Sequence, residues 1–210
     1  MKDLESFIAQ KLLQVKAIKL QPMNPFTWAT GWNSPIYCDN RRILSYPRMR
    51  NIIKAELARQ VVERYPDVEV IAGVAVNAIA IGMLVAEELS LPFVYVHPNP
   101  KDHGFENMIE GDLRPRQNVV IIEDQVSVGH NSMKVAEAIR KNGCKVMGLI
   151  TIMDYGFADT ARRFKEAGVE LISLCTFDAV LERARETDYI SPEDVTIFRN
   201  WQKNPSKWQK

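Results

Sequence analysis

An acidic pair followed by a turn of small and polar residues is the first place in this sequence where chemistry could occur. Glu123 and Asp124 follow the four apolar residues 119–122, and an apolar periodicity of 3.6 residues then runs to Gly143. This pattern predicts a buried parallel strand, with the acids at its carboxyl end, followed by a helix. Ligands bind at that edge of an open parallel sheet, and the N–H groups that begin a helix attract anions. Residues 127–132 therefore predict a site for a phosphate group with neighbouring hydroxyls.

The rest of the sequence predicts the strands and helices that must position this site. Apolar residues recur with helical spacing in four other segments, and four short apolar runs are candidate strands. Two more helices are expected near the carboxyl end, one of them capped by Ser191. The predicted helices are 2–16, 47–65, 78–89 and 157–168, and the predicted strands are 68–75, 91–96, 145–153 and 169–177. This alternation favours an α/β fold with a mostly parallel sheet and helices on both faces.

Composition and charge exclude several classes of protein. The 210 residues are 46% hydrophobic, which is enough for one α/β domain with a full core. The net charge of +1 gives no global basic field for nucleic acid or an anionic membrane surface. The apolar runs are too short to span a membrane, and the first residues are amphipathic with two early acids instead of a signal peptide. We therefore expect a cytoplasmic protein with no nucleic-acid or membrane partner.

The candidate metal ligands do not form a known metal-binding pattern. The cysteines are Cys38, Cys144 and Cys175, and the histidines are His97, His103 and His130. The cysteines lie far apart without ligand spacing, which fits buried thiols in a reducing compartment. All three histidines fall in the two candidate ligand loops, but their spacing is no known ligand pattern. Phosphate contacts or coincidence are favoured over a metal held by the protein.

Residues 18–42 are rich in aromatic side chains and turn-forming residues. This segment contains three prolines, one glycine and the aromatic residues Phe26, Trp28, Trp32 and Tyr37, and it predicts short strands and turns. Two interpretations are open. The aromatic side chains either form a lid over a planar ligand or cover one end of the sheet.

A second irregular segment begins at residue 97. It runs to residue 118 and contains three prolines and little periodicity, and loops this long are usually functional or disordered. Lys101 and His103 stand two positions apart in it. On a mobile loop, here 97–112, two such groups could close over a diphosphate and neutralise it as it leaves. An ordinary charged surface loop is the alternative.

Four segments of the chain, in order, resemble the orotate phosphoribosyltransferases of the type I phosphoribosyltransferase family. They are AIKLQPMNPFTWATGWNSPIYCDNR at 17–41, GVAVNAIAIG at 73–82, KDHG at 101–104 and IIEDQVSVGHNS at 121–132. The resemblance covers nearly the whole chain. It implies the type I fold, a mostly parallel twisted sheet flanked by helices. It also implies a single domain over 1–210, with an amino-terminal helix and hood at 1–45, a core at 46–180 and carboxy-terminal helices at 181–210.

The resemblance also implies an activity. The family transfers a phosphoribosyl group from phosphoribosyl diphosphate to orotate, giving orotidine 5′-phosphate and diphosphate in pyrimidine nucleotide synthesis. It implies Mg²⁺ carried by phosphoribosyl diphosphate. It further implies a homodimer with shared active sites, in which the loop that contains KDHG reaches into the partner's site.

Carried over residue by residue, the resemblance assigns roles to particular side chains. Glu123 and Asp124 would hold the ribose hydroxyls, while Lys101 and His103 would offset charge on the leaving diphosphate. The expected catalytic residues are Lys101, His103 and Asp124, and the expected substrate-binding residues are Lys19, Phe26, His97, Glu123, Asp124, Gln125, Val126, Ser127, Val128, Gly129, His130 and Asn131.

The sequence departs from the family pattern at several of these positions. The phosphate turn has Val128, His130 and Asn131 where the family prefers small residues, hydroxyls or glycine. The turn after the strand at 68–75 has Val76 and Asn77 where small or polar residues and a proline are expected. His97-Pro98 replaces a commonly cationic pair, and a neutral imidazole lacks the permanent bidentate contact of an arginine.

These departures leave two functional interpretations. The first is a working orotate phosphoribosyltransferase, which the retained Lys101, His103, Glu123, Asp124 and Ser127 favour. The second is a phosphoribosyltransferase-like protein with impaired catalysis that binds a nucleotide or a regulatory partner, which the altered turns favour. The hood disfavours a salvage transferase for another base, and no GxGxxG segment follows any predicted strand.

Overall fold

The computed structural model describes residues 2–28, 31–100 and 108–208. Within these ranges the chain forms seven α-helices, one 3₁₀ helix and ten strands. The helices are α1 Lys2–Gln14, α2 Pro47–Arg64, α3 Ile79–Leu89, α4 His130–Lys141, α5 Ala158–Glu166, α6 Phe177–Glu186 and α7 Pro192–Lys203, and the 3₁₀ helix is Asn40–Ser45. The strands are β1 Ile18–Leu20, β2 Phe26–Thr27, β3 Asn33–Ser34, β4 Ile36–Cys38, β5 Val70–Val74, β6 Phe93–Val96, β7 Ile109–Glu110, β8 Asn118–Val126, β9 Lys145–Asp154 and β10 Leu171–Thr176.

Six strands form the central sheet in the order β10-β9-β8-β5-β6-β7. Neighbouring strands run parallel, except that β7 is antiparallel to β6. All of β5 and residues 119–124 of β8 are buried, as expected for parallel strands whose two faces are covered by helices. The predicted mostly parallel α/β sheet is confirmed. The short strand β7 was not predicted, because residues 97–112 showed no periodicity that would reveal a two-residue strand.

Strand β8 extends further than the sequence indicated. Its pairing with β5 ends at Ile122, opposite Gly73, but its pairing with β9 continues to Val126, opposite Asp154. The acidic pair therefore lies within β8, beyond the last residue that pairs with β5, rather than after the strand. This stagger places both acids beside the carboxyl end of β5, where an open parallel sheet forms its ligand crevice.

The hood segment lies next to this crevice. β1 pairs antiparallel with β4, and β2 pairs with β3. The 3₁₀ helix follows β4, and the carboxylate of Asp39 caps it by accepting a hydrogen bond from the N–H of Arg41. The Asn40 side chain then donates to the backbone carbonyl of Asp124 at 2.7 Å. This buried bond ties the hood to the strand that carries the acidic pair.

The carboxy-terminal helices complete the core. α7 begins with the predicted cap, a reciprocal pair of hydrogen bonds between Ser191 and Asp194, and it buries Phe198 and Trp201 fully. The three cysteines are free and buried. Among the described residues, none of the helices combines the length and the apolar character needed to cross a membrane.

Candidate active site

Glu123 is a buried carboxylic acid, with only 8% of its surface exposed. One of its oxygens, Oε2, accepts a hydrogen bond from the hydroxyl of Ser132 in the first turn of α4. Burial raises the pKa of Glu123 to about 8, the Ser132 bond lowers it in part, and the charge of Asp124 raises it again. At neutral pH this carboxyl is therefore mainly protonated.

Asp124 is 5% exposed and differs from its neighbour in its hydrogen bonding. Burial raises its pKa to about 6, and this effect is opposed by hydrogen bonds from backbone N–H groups and by the charge of Arg41. Its Oδ2 atom is buried and has no hydrogen-bond partner among the described residues. A buried acceptor without a donor is costly. Asp124 is therefore suited to receive a donor from a ligand, such as a sugar hydroxyl.

The turn between β8 and α4 has the geometry of an anion site. Gly129 adopts a φ of +71°, and no side chain caps the helix that follows it. A Cβ atom at Gly129 would come within 2.8 Å of the Phe164 ring, so only glycine fits both the conformation and the packing. The uncapped N–H groups and the helix dipole favour a negatively charged group at this position.

A cavity of about 290 Å³ lies between the hood and the carboxyl ends of β8 and β9. It is lined by Thr27, Trp28, Tyr37, Cys38, Gln125, Ser127 and Tyr155. The Gln125 side-chain N–H donates to the carbonyl of Cys38 at 3.2 Å. The hydroxyl of Tyr155 donates to the side-chain oxygen of Gln125 at 3.3 Å. Gln125 is thus fixed in one orientation. The cavity joins aromatic walls to one oriented amide, which suits a flat polar ring.

This chain has relatives among known proteins. No family model matches it. It is 56% identical to the orotate phosphoribosyltransferase of Phocaeicola vulgatus over 209 residues, which cover 100% of this chain and 99% of that protein. The chain belongs to the orotate phosphoribosyltransferase family. The resemblance drawn from the four sequence segments is thereby confirmed.

Solved structures of this family and of a larger protein share the fold. The orotate phosphoribosyltransferase from Aeropyrum pernix matches with a TM-score of 0.72 and 26% identity, covering 84% of this chain and 98% of that one. Leishmania donovani UMP synthase matches with a TM-score of 0.80 and 25% identity. That match covers 96% of this chain but 42% of the longer UMP synthase chain. The expected type I phosphoribosyltransferase fold is confirmed.

The hood aromatic Trp28 covers one end of the sheet, which is one of the two interpretations that the sequence left open, while the role of a lid over a planar ligand stays a prediction. Trp28 packs edge-on against Tyr155 and Trp201, with ring centroids 5.4 and 5.7 Å apart, so it covers one end of the sheet. Trp28 and Tyr37 both line the cavity, and the ring of Tyr37 lies 5.5 Å from that of Phe26. Lys19 is half-buried in β1, directly opposite Tyr37.

Arg41 of the hood contacts the turn that follows β5. This guanidinium pairs with Asp39 at 2.7 Å and reaches the side-chain oxygen of Asn77 at 3.5 Å. The neighbouring Val76 is 72% exposed. Asn77 therefore supplies an acceptor that holds an arginine beside the crevice, which the sequence pattern alone did not indicate.

His97, His130 and Asn131 lie at the margins of the site. The backbone N–H of His97 donates to the carbonyl of Met108 at 2.8 Å, and its ring lies 5.6 Å from that of Tyr95. His130 and Asn131 are exposed at the start of α4. Lys101 and His103, the two expected catalytic loop residues, lie outside the described residues.

Val126 completes the set of expected site residues, and it is buried at the end of β8. A larger cavity, of about 590 Å³, lies between α1, α6 and α7, and several of its charged side chains already have partners. Glu5 accepts hydrogen bonds from Thr176, and Arg199 pairs with Asp178. Across the described ranges, no group of three or more histidine, cysteine, aspartate or glutamate side chains could hold a metal ion.

Proposed function

We propose that this chain transfers a phosphoribosyl group from phosphoribosyl diphosphate to orotate, releasing diphosphate and forming orotidine 5′-phosphate. The observation that carries the proposal is the buried, unpartnered Oδ2 of Asp124. The next residue, Gln125, lines a cavity with aromatic walls, and the strand that carries both leads to an uncapped helix start. A ribose with a phosphate on one side and a flat base on the other matches these three features in order.

The two acids have different roles in this proposal. Displacement at the anomeric carbon passes through a transition state in which positive charge develops on the ribose. Asp124, with a pKa of about 6, is mainly ionised at neutral pH and supplies negative charge near that position. Glu123, with a pKa of about 8, is mainly neutral and serves as a hydrogen-bonding group for a ribose hydroxyl. Environments that separate the pKa values of two acids commonly separate their functions.

The cavity beside Gln125 would take the pyrimidine. Its volume of about 290 Å³ suits a single small ring, since sites for larger ligands typically span ~300–1,000 Å³. The walls include Trp28, Tyr37 and Tyr155, while Gln125 offers an oriented amide to a carbonyl or ring N–H of the base. Lys19 and Phe26 both neighbour Tyr37 of this cavity, Lys19 as its strand partner and Phe26 through its ring.

The diphosphate would leave on the side of Arg41, and the family resemblance assigns Lys101 and His103 to offset its charge. Mg²⁺ would arrive with the substrate. It prefers phosphate oxygens and water to protein cages, and the described site offers it a buried carboxylate oxygen without a hydrogen-bond partner, Oδ2 of Asp124. When bound, it would neutralise diphosphate charge. The turn at 127–131 would hold the 5′-phosphate. We further propose a homodimer with shared sites, active in the cytoplasm in pyrimidine nucleotide synthesis.

The full-length identity of 56% to an orotate phosphoribosyltransferase supports this function over a protein with impaired catalysis. The test is to incubate the purified chain with orotate, phosphoribosyl diphosphate and Mg²⁺ and to follow formation of orotidine 5′-phosphate. We expect turnover by the wild type and a loss of about 10²-fold or more in Asp124→Asn, since charge stabilisation at that position is removed. The absence of product at high concentrations of the wild-type protein would refute the proposed function.

A further inference from the structure

Two side chains of α5 contact consecutive backbone carbonyls in the turn that precedes α4. The hydroxyl of Thr160 donates to the carbonyl of Ser127 at 2.6 Å. The guanidinium of Arg163 donates to the carbonyl of Val128. Together with the packing of Phe164 against the next residue, these contacts make α5 the support of the whole turn.

The carbonyl contacts determine where the N–H groups of the turn point. A trans peptide is planar, so its carbonyl and the following N–H point in opposite directions. When the carbonyls of Ser127 and Val128 point toward α5, the N–H groups of Val128 and Gly129 point away from it. Within the described part of the chain, no atom accepts a hydrogen bond from either N–H group. The turn thus presents two oriented donors next to the start of α4.

The burial of Thr160 and the charge of Arg163 both favour this orientation of the two peptides. Thr160 is only 1% exposed, so rotation of the Ser127 peptide would leave a buried hydroxyl and a carbonyl without partners. Arg163 is half-buried and places a permanent positive charge behind the Val128 peptide, where it favours an anion on the opposite side. This charge comes from outside the turn, whose own residues depart from the family pattern at His130 and Asn131.

We propose that Thr160 and Arg163 are positioning residues for the 5′-phosphate of the substrate, because they hold residues 127–129 with their N–H groups directed at that phosphate. The inference rests on the proposed function, which supplies the phosphate. It adds two residues on a separate helix, more than 30 positions beyond the turn.

The variants that test this role remove each contact separately. Thr160→Val and Arg163→Ala delete the hydrogen-bond donor at each position, whereas Thr160→Ser and Arg163→Lys keep a donor there. Arg140→Ala is a matched control. Arg140 also joins α4 to α5 through guanidinium–carbonyl bonds, to Ala167 at 2.9 Å and Gly168 at 3.3 Å, but at the far end of α5 from the turn.

Calorimetry with two probes separates the phosphate sites. Ribose 5-phosphate contains the 5′-phosphate alone, and inorganic diphosphate contains only the leaving group. We expect Thr160→Val and Arg163→Ala each to weaken ribose 5-phosphate binding about tenfold, the effect of losing roughly one hydrogen bond. Diphosphate binding should stay within about twofold, Thr160→Ser should restore ribose 5-phosphate affinity, and Arg140→Ala should change neither.

Steady-state kinetics provides a second readout, because KM for phosphoribosyl diphosphate should rise in the two deletion variants while KM for orotate does not.

Three results would each overturn the inference. They are an unchanged ribose 5-phosphate affinity in Arg163→Ala, an equal weakening of both probes, and an equal effect of Arg140→Ala. If Thr160→Val does not fold, Arg163→Ala still tests the positioning role, because Arg163 is only half-buried. Probe binding requires no turnover, so a failure here is distinct from a wild type that forms no orotidine 5′-phosphate.

Discussion

The hydroxyl of Ser132 donates a hydrogen bond to Oε2 of Glu123, which joins the strand that carries the acidic pair to the first turn of the following helix. Both side chains are buried, and the carboxyl consequently has little water to stabilise its charge. Burial is the largest influence on this group and raises its pKa to about 8. Glu123 therefore carries a proton at neutral pH.

This proton makes the stability of the ligand-free protein depend on pH. Between the ordinary value of 4.5 and the folded value of about 8, the folded state holds the proton and the unfolded state does not. The free energy of unfolding therefore falls as pH rises through this window, by at most about 1.4 kcal/mol per pH unit. Glu123→Gln has no proton to lose, so it should flatten the slope. Urea unfolding at several pH values from about 6 to 8 measures the difference.

The comparison is made above pH 6 because Asp124 contributes below it, where its own raised pKa of about 6 produces a slope of the same sign. Glu137→Gln is the control. Glu137 is exposed, and its pKa is lowered by its hydrogen bond and ion pair with Lys141, so its contribution is lost only as pH falls below the ordinary value. Its variant should keep the wild-type slope above pH 6. An equally steep slope in Glu123→Gln would contradict a buried proton.

The fold could largely be predicted from local patterns. Each main helix and strand carries its own apolar period, and the capping sequence at Ser191 fixed the start of α7. The length of β8 could not be predicted, because residues 123–126 are strand only through their pairing with β9. β7 is likewise defined by its partner β6 rather than by its own two residues.

The candidate site was predictable where its residues are adjacent in sequence. Glu123, Asp124 and the turn after them follow from one strand and one helix start. Tyr155 and Thr160 were missed because they reach the site only through the folded sheet, from the end of β9 and from α5. A usable signal for Tyr155 did exist. It directly follows a strand that was predicted to be parallel to β8, and carboxyl ends of such strands share one edge.

We predict that Gln125→Leu weakens orotate binding selectively. Leucine fills a similar volume but loses the amide that is held between Cys38 and Tyr155. One lost hydrogen bond to the base should raise KM for orotate about tenfold, with KM for phosphoribosyl diphosphate unchanged, because the phosphate turn is untouched. Initial-rate kinetics with each substrate varied separately provides both constants.

Tyr155→Phe serves as the partial variant for the same pocket. It keeps the ring that packs against Trp28 and removes only the hydroxyl that orients Gln125, so its effect on KM for orotate should be smaller than that of Gln125→Leu. A rise in both KM values with Gln125→Leu, or in neither, would mean that this amide does not face the base.

Mixing two inactive variants tests whether active sites are shared between subunits. Lys101→Ala removes the loop cation, and Asp124→Asn removes the carboxylate at the acidic pair. If loops act in trans, a mixed dimer has one intact site. Random pairing then restores about a quarter of wild-type activity, because half of the dimers are mixed and half of their sites are intact. Mixing Asp124→Asn with the Lys101→Ala/Asp124→Asn double variant should restore none, and equal activity in both mixtures would contradict shared sites.

The chain departs from its family pattern at two positions whose side chains can be changed singly, His97 and His130. His97 is fixed through its backbone N–H by the carbonyl of Met108, so its side chain can be changed without breaking that bond. His97→Arg should tighten binding of phosphoribosyl diphosphate about tenfold, because a guanidinium adds a permanent charge-assisted contact to the diphosphate. His130→Gly should add a smaller gain by letting the turn's N–H groups approach the 5′-phosphate. Titration calorimetry on the single and double variants measures each effect.

The His130 variant needs its own control because glycine in the first turn of α4 can cost the helix up to about 1 kcal/mol. His130→Ala removes the same exposed imidazole while keeping helical preference, so a gain seen with glycine and absent with alanine reports closer approach of the backbone. The two effects should add in the double variant if the phosphate and diphosphate positions are independent. A dissociation constant unchanged by His97→Arg would show that the diphosphate is already held by other groups, for which Arg41, anchored to Asp39 and Asn77 beside the turn after β5, is a candidate.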